Sequence, residues 1–148
     1  MNLNVEAINH VCVVVKNIAA AEDFYIGVLG LQRHHRIKSW LLLNKVSTLH
    51  LVHIPEATVD TSLYHEIQHF ALQVPDLRAV VRHLLGRERV MFQMDFEGVE
   101  KSIESAEAPL DHGLGTVFTR DPDGNLIEFL QLGQGIFKGE NILNIAAG

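Results

Sequence analysis

Two segments of this chain share a residue pattern, and each carries a histidine at the same place. His10 follows Ile8-Asn9, and His69 follows Ile67-Gln68, 59 residues further along the chain. Both segments continue with apolar residues, a pattern typical of a strand. A segment that occurs twice indicates one supersecondary unit used twice. We therefore expect the two imidazoles, which are common metal ligands and proton carriers, to point to a common place.

The last predicted strand of each half adds a second polar side chain. Residues 48–53 align with residues 126–131, so that His50 falls on Glu128. A carboxylate inside an apolar run is costly to bury unless it is paired or bound to a metal. The alternative role for Glu128 is an ion pair, for example with Arg120 across a hairpin. The repeat predicts that four side chains collect at one place: His10, His50, His69 and Glu128.

Two imidazoles and one carboxylate on a rigid frame leave open coordination positions on a metal ion. Such an ion can hold a substrate or dioxygen, and it can polarise a carbonyl group or bind two neighbouring oxygens. We predict a divalent ion (zinc, nickel, iron or manganese) held by His10, His69 and Glu128, with His50 as a fourth ligand or close neighbour. His50 and Glu128 are also the candidate catalytic groups. The alternative for each strand histidine is a packed core residue.

The elements that must position these side chains come in the order strand, helix, strand, strand, strand. A strand is predicted at residues 8–15, and a helix follows between Asn17, a suitable N-cap, and Gly30, a typical helix end. Three shorter strand-like runs complete the first half: residues 31–37, 40–44 and 47–53. Side chains alternate along a strand, so His10 lies on the face opposite the helix-facing residues Val11, Val13 and Val15.

The second half repeats this order. A strand at residues 67–74 precedes a helix from the cap Asp76 to Leu85, and a polar segment occupies residues 97–114. Three further strands are predicted at residues 89–96, 115–120 and 125–131. The side chains of Asp121–Asn125 are expected to stabilise a turn rather than bind an ion. Neither half could bury its sheet alone, so we expect the halves to pack together.

The composition is that of an ordinary globular protein. The chain has 148 residues, of which 47% are hydrophobic and 20% charged. It is expected to be one domain with modules at about 6–54 and 65–132 and a tail at 133–148. A net charge of −6 argues against a nucleic-acid partner. No signal peptide or membrane-length apolar run is visible, so we expect a cytoplasmic protein. The sole cysteine, Cys12, is expected to be a buried reduced thiol.

The tail contains residues that are too apolar to be left in water: Ile136, Phe137, Ile142, Leu143 and Ile145. Apolar patches of this kind mark contact surfaces, so the tail predicts a homodimer. The alternative is a tail that folds back on its own chain. The other histidines are expected at the surface or beside the site, with His112 the one that could reach a cavity mouth: His34, His35, His53, His65, His83 and His112.

Three segments together resemble the vicinal oxygen chelate superfamily, which includes glyoxalase I, bleomycin-resistance proteins, fosfomycin-resistance enzymes and extradiol dioxygenases. They begin at His10, at His69 and at Phe118, and the last reads Phe-Thr-Arg-Asp-Pro-Asp-Gly-Asn-Leu-Ile-Glu up to Glu128. The resemblance covers about residues 6–132. It implies an α+β fold of two βαβββ modules that form a cupped, incomplete barrel around a divalent metal.

The resemblance also implies roles for single residues. The family's metal positions match three residues of this chain: His10, His69 and Glu128. The fourth place, usually a Glu in glyoxalase I relatives, holds His50. Fosfomycin-modifying relatives usually carry hydroxyl side chains where this chain has Cys12 and Phe118, which argues against a phosphonate substrate. The resemblance implies a metal-dependent enzyme of the glyoxalase/dioxygenase type acting on a small oxygenated metabolite. The alternative is a non-catalytic ligand-binding protein of the bleomycin-resistance type.

Overall fold

The structure is a computed structural model that describes residues 5–58 and 68–138. These residues form two mixed sheets with few helices, which confirms the predicted α+β class. They divide into two compact units. Unit 1 holds residues 5–58 and the turn Asp121–Asn125, and unit 2 holds residues 68–120 and 126–138. No helix in the described ranges is long and apolar enough to cross a membrane.

Unit 1 contains one open sheet and one helix. Its elements follow the predicted order: β1 (His10–Val15), α1 (Ile18–Glu22), β2 (Gln32–Arg33), β3 (Trp40–Leu42) and β4 (Thr48–His53). The sheet order is β1-β4-β3-β2, with β1 parallel to β4 and the other neighbours antiparallel. The helix continues beyond α1 as a π-helical stretch over Asp23–Val28, which the residue pattern did not predict.

The helix of unit 1 begins and ends as its sequence predicts. The Asn17 side chain accepts a hydrogen bond from the Ala20 backbone N–H at 3.1 Å, so it satisfies one of the unpaired donors of the first turn. Gly30 follows the helix with a φ of 76°, a left-handed conformation that glycine adopts without steric cost. Phe24 and Tyr25 are fully buried on this helix and pack in the core of the chain.

Unit 2 contains a five-stranded open sheet and a longer helix. Its elements are β5 (His69–Gln73), α2 (Leu77–Leu85), β6 (Phe92–Met94), β7 (Glu100–Ser102), β8 (Val117–Arg120) and β9 (Leu126–Leu130). The sheet order is β5-β9-β8-β6-β7, with β5 parallel to β9. Asp76 caps α2 by accepting from the Ala79 N–H at 2.9 Å, as predicted. A short 3₁₀ turn at Gly135–Phe137 follows the last strand.

The strand β7 lies within residues 97–114, for which the sequence predicted a polar segment and no strand. Its three residues are all exposed, since β7 is an edge strand, so no apolar alternation marks it in the sequence. The turn before it is closed by the Asp95 carboxylate, which accepts from the backbone N–H groups of Glu97 and Val99 at 3.0 and 2.8 Å. Asp95 is therefore the residue in the sequence that indicates a turn here, although the residues of β7 show no strand pattern.

The two sheets share one topology once the edge strand β7 is left aside. In each, the first strand lies parallel to the last, and the remaining strands follow antiparallel. The predicted alternation along β1 is also observed, since Val13 and Val15 are 4% and 0% exposed while His10 and Cys12 are exposed. The expectation of a buried Cys12 was wrong, because the thiol lies on the face opposite the helix and on an edge strand.

Candidate functional site

The exposed face of the unit 1 sheet carries an aromatic and imidazole cluster around Trp40. The ring of Trp40 is half-buried, and its centroid lies 5.0 Å from that of His10 and 5.6 Å from that of His50. His34 adds a third imidazole at 6.2 Å. Trp40 stands directly opposite His50 in the β3–β4 pairing, so the sheet register itself brings these rings together.

The ring of His10 is oriented by its chain neighbour. The Nδ1 atom of His10 lies 2.9 Å from the side-chain oxygen of Asn9, which can only accept, so Nδ1 carries the proton. In the neutral ring the Nε2 atom then has a free lone pair. Metal-binding histidines are usually held in this way by a hydrogen bond at the other ring nitrogen. The orientation of His10 therefore fits a ligand role.

His50, the second histidine on this face of unit 1, is in contact with the thiol of Cys12. His50 Nδ1 lies 3.6 Å from the sulfur of Cys12, which stands directly opposite it in the β1–β4 pairing. The ring centroids of His50 and His10 are 6.3 Å apart. These three side chains lie on one face of the sheet, so unit 1 offers imidazole and thiol donors side by side.

In unit 2 the corresponding pair is a buried carboxylate and an imidazole. His69 Nε2 donates to Glu128 Oε2 at 2.9 Å, with side-chain exposures of 30% and 8%. The ion pair considered as the alternative role of Glu128 is therefore formed with His69, whereas Arg120, the example given for its partner, binds Glu100 at 2.7 Å. A buried carboxylate needs such a partner, so His69 offsets the desolvation that burial imposes on Glu128.

The two donor pairs occupy equivalent places in the repeat. His10 stands opposite Thr48, and the residue two positions further along β4 is His50. His69 stands opposite Leu126, and the residue two positions further along β9 is Glu128. The register of the two sheets thus agrees with the alignment of His50 on Glu128 that the sequence suggested.

An aromatic residue accompanies each pair, and the residue types alone did not predict it. Trp40 stands opposite His50, and Phe118 stands opposite Glu128, with its ring 5.7 Å from that of His69. Phe118 is 2% exposed and stacks on Phe92 at 5.8 Å. Trp40 could have been singled out from the sequence, because it is the sole tryptophan and lies in the strand before that of His50.

The other histidines that the structure describes make local contacts. His34 Nδ1 accepts from the N–H groups of Arg36 and Ile37 at 3.1 Å each, and His53 Nε2 donates to the Lys16 carbonyl at 3.1 Å. His83 accepts from Arg87 on the surface of α2 at 3.0 Å. His112 donates from Nε2 to the Val99 carbonyl of the β6–β7 hairpin at 3.3 Å. His35 is exposed and stacks on His34, and His65 lies outside the described residues.

The acidic turn of unit 1 has the structural role that its sequence predicts. The Asp121 carboxylate, 5% exposed, accepts from the backbone N–H groups of Asp123 and Asn125 at 2.9 and 2.8 Å, and from the Asn125 amide. The Tyr25 hydroxyl adds a fourth donor at 2.9 Å. Burial raises the pKa of Asp121, although these hydrogen bonds act in the opposite direction. Burial, and then the neighbouring Asp121 charge, raises the pKa of Tyr25.

The predicted ligands therefore appear as two donor pairs, one in each unit. Within residues 5–58 and 68–138, no group of three or more His, Cys, Asp or Glu side chains is arranged to hold a metal ion. The donor chemistry of the pairs nevertheless fits a borderline divalent ion, because it combines imidazole nitrogens with one carboxylate. The orientation of His10 by Asn9 adds to this fit. Convergence of all four side chains stays a prediction.

Comparison with known proteins gives one family and a set of similar folds. A family model for the Glyoxalase/Bleomycin resistance protein/Dioxygenase superfamily matches residues 7–129. Lactoylglutathione lyase from Agrobacterium tumefaciens is 18% identical, over 86% of this chain and 95% of that chain, with a TM-score of 0.57. The antibiotic binding protein TnmS3 from Streptomyces is 20% identical, over 88% and 98%, with a TM-score of 0.56. A glyoxalase/dioxygenase from Nostoc punctiforme is 16% identical, over 86% and 92%, with a TM-score of 0.62. At these identities the likeness concerns the fold, and no curated protein sequence matches the chain.

Proposed function

The chain belongs to the Glyoxalase/Bleomycin resistance protein/Dioxygenase superfamily, and from this premise we propose that it is a divalent-metal-dependent enzyme of the glyoxalase/dioxygenase type. Its substrate is a small oxygenated metabolite. The observation that carries the proposal is the equivalent placement of His10 with His50 and of His69 with Glu128 in the two sheets. Packing alone does not require imidazoles on an exposed sheet face, so their repetition favours a shared role.

In this proposal the two units act as one domain, and four side chains hold the ion: His10, His50, His69 and Glu128. The ion, when bound, supplies Lewis-acid polarisation of substrate oxygens. Asn9 Oδ1 accepts a hydrogen bond from the Nδ1–H group of His10, which leaves the lone pair on Nε2 for the ion. Glu128 Oε2 accepts a hydrogen bond from the Nε2–H group of His69. The side chain of Glu128 is only 8% exposed, so this carboxylate is the candidate for taking up a substrate proton in a largely water-free position. His50 Nδ1 is the second candidate.

A second candidate function is supported by the Trp40 cluster. A half-buried indole bordered by three imidazole rings offers a flat surface on which a planar ligand could stack. The similar fold of an antibiotic binding protein accords with this second function. In that case the chain would bind a small molecule without converting it, and the histidines would serve as aromatic and hydrogen-bonding contacts.

Elemental analysis of the purified protein, followed by activity screens with the metal found, separates the two functions. The enzyme is expected to contain close to one equivalent of a divalent ion and to show turnover that depends on it. The variant His69→Ala should lose both, while His83→Ala, a histidine exposed on α2, should keep both. Protein that takes up none of the candidate ions would contradict the proposal and favour the binding function.

A further inference from the structure

The hairpin between β2 and β3 of unit 1 is closed by an imidazole to which the proposed function gives no role. His34 Nδ1 accepts from the backbone N–H groups of Arg36 and Ile37 at 3.1 Å each. Because a backbone N–H can only donate, this ring is neutral and carries its proton on Nε2. We infer that His34 is a positioning residue that holds Trp40 in place only while its ring is neutral, so that mild acid disassembles the Trp40 cluster.

Trp40 is bonded to this hairpin through both of its backbone polar groups. The His34 N–H donates to the Trp40 carbonyl at 2.8 Å, and the Trp40 N–H donates to the Ile37 carbonyl at 3.0 Å. Ile37 therefore accepts from Trp40 and donates to the His34 ring, which connects the imidazole to the strand that carries the indole. The strand β2 pairs with β3 through only two residue pairs, so the hairpin depends on these additional bonds.

A proton on His34 would disturb the hairpin in two ways. It would turn Nδ1 from an acceptor into a donor, and the N–H groups of Arg36 and Ile37 would then lose their acceptor. It would also add a positive charge to a hairpin that is rich in cations. The charged and titratable groups around His34 from its own hairpin and from α1 are Glu22, Arg33, His35, Arg36 and Lys38.

None of the contacts of this hairpin offers a compensating negative charge to His34. Glu22, the acidic member of the set, already binds Arg33 at 2.6 Å, and His35 stacks on His34 with ring centroids 4.6 Å apart. On the far side of Trp40 lie the two other imidazoles of the cluster, His10 and His50. Histidines titrate between about pH 8 and 5, so we expect an intact cluster at pH 7.5 and a disassembled one in mild acid.

The inference rests on the proposed function only in one respect, namely that the Trp40 cluster contains the ligands His10 and His50. The hydrogen bonds themselves need neither an ion nor a substrate. The inference can therefore be tested on the full-length, metal-free protein, independently of whether the chain binds a metal.

Nuclear magnetic resonance of the nitrogen-15-labelled, metal-free protein is the direct test. At pH 7.5 we expect the His34 ring as the tautomer protonated on Nε2. On acidification, the amide resonances of Arg36 and Ile37 should shift with the same midpoint as the His34 ring. In His34→Asn these shifts should disappear, because an Asn side-chain oxygen can accept from N–H groups shortly after it in a turn but does not titrate.

The matched control is His35→Asn, which removes the neighbouring imidazole of the same hairpin and leaves the acceptor in place. This variant should titrate like the wild type. A His34 ring protonated on Nδ1 at pH 7.5 would overturn the inference. A transition at Arg36 and Ile37 that persists unchanged in His34→Asn would overturn it as well.

The fluorescence of Trp40 measures the positioning itself, because the chain has one tryptophan. His34→Phe keeps an aromatic ring beside the indole but has no acceptor, so at pH 7.5 we expect a more exposed indole and emission at longer wavelength. His34→Asn should restore the emission of the wild type. Thermal melts verify that both variants are folded, and wild-type emission in His34→Phe would overturn the inference.

Zinc titration at pH 7.5 relates the positioning to the proposed ligands. His34→Phe should weaken zinc binding by about tenfold, the low end of what the loss of outer-shell support costs, whereas His34→Asn should bind zinc like the wild type. Equal zinc affinity in all three proteins would overturn the role of His34 in the site. A wild type that binds no zinc would count against the proposed function, while the resonance shifts at Arg36 and Ile37 would still confirm or overturn the inference.

Discussion

The contact between His69 and Glu128 makes a prediction for the metal-free protein. Glu128 is 6% exposed, so His69→Ala would leave a buried carboxylate without the partner that it has at 2.9 Å. Unpaired buried groups of this kind cost about 1–3 kcal/mol, and more when charged. We expect urea unfolding in the presence of EDTA to show such a loss for His69→Ala.

A matched double variant distinguishes this pairing from a general loss of packing. In His69→Ala/Glu128→Gln the buried group is neutral, and a neutral amide is less costly to bury than a carboxylate. The double variant should therefore be more stable than His69→Ala alone. If the second substitution lowers stability further, the pair does not behave as described.

The buried contact between Tyr25 and Asp121 predicts a pH-dependent effect. Because burial raises the folded-state pKa of Asp121 above its ordinary value, the stability linked to this group is present in acid and is lost as the pH rises through the folded pKa. The Tyr25 hydroxyl supports the ionised form. Tyr25→Phe should therefore cost about 1–3 kcal/mol at pH 7 and less below the pKa of Asp121. Urea unfolding of wild type and variant from pH 3.5 to 7 measures the difference, and a cost independent of pH would contradict it.

Among the secondary-structure elements, those with a strong local signal could be predicted from the sequence. Both helix caps, Asn17 and Asp76, accept the hydrogen bonds expected of them, and the alternation along β1 matches the observed burial. The edge strand β7 could not be predicted, because three exposed polar residues have no periodicity. The π-helical stretch at Asp23–Val28 could not be predicted either. The spacing of apolar residues indicates a helix but does not show which backbone groups are hydrogen-bonded.

The same distinction applies to the candidate site. Repeat and strand alternation were enough to place His50 and Glu128 at equivalent register positions. The partners of these side chains depend on which strands are neighbours in the sheet, and the sequence does not predict that strand order. Trp40 and Cys12 therefore appear beside His50 only once the β3–β4–β1 pairing is known. The exposure of Cys12 was mispredicted for the same reason, since an apolar strand can lie at a sheet edge.

The segment after β9 is attached to unit 2 through two glycines in close contact. A Cβ atom on Gly115 would lie 2.5 Å from the Cα atom of Gly135, and both residues have positive φ. Gly115→Ala should therefore add overpacking of about 1–3 kcal/mol to the strain of about 1–2 kcal/mol from a left-handed alanine. Gly133→Ala is the matched control, because Gly133 also has a positive φ but no atom within 4 Å of an added Cβ. Thermal unfolding that ranks the two variants as equal would contradict this packing.

For the whole molecule, we keep the proposal of a homodimer in which the tail takes part. Ile136 is 49% exposed, while its backbone N–H donates to the Leu114 carbonyl at 3.0 Å. The first residues of the tail thus do contact their own chain, as the alternative expected. Three of the apolar tail residues lie outside the described ranges: Ile142, Leu143 and Ile145.

Sedimentation of the full-length chain against a version truncated after Leu132 tests the role of the tail. We expect a dimer for the full-length chain and weaker association after truncation, because the exposed apolar surface is then removed. Ile136→Ser is the milder variant, since it keeps the backbone contact with Leu114. A monomer in both forms would refute the dimer, and a dimer unaffected by truncation would refute the role of the tail.

In the proposed function a divalent ion bound by His10, His50, His69 and Glu128 stabilises the folded chain. Melting curves at pH 7.5, with and without EDTA, on protein first loaded with one equivalent of zinc test it most directly. An ion present at 100 times its dissociation constant adds about 2.7 kcal/mol, so EDTA should lower the melting temperature of the wild type and of His83→Ala. Because protons compete with metal for imidazole, the effect of EDTA should shrink as the pH falls through roughly 6 to 4. Superimposable curves, with loading and removal of zinc both verified, would contradict the claim.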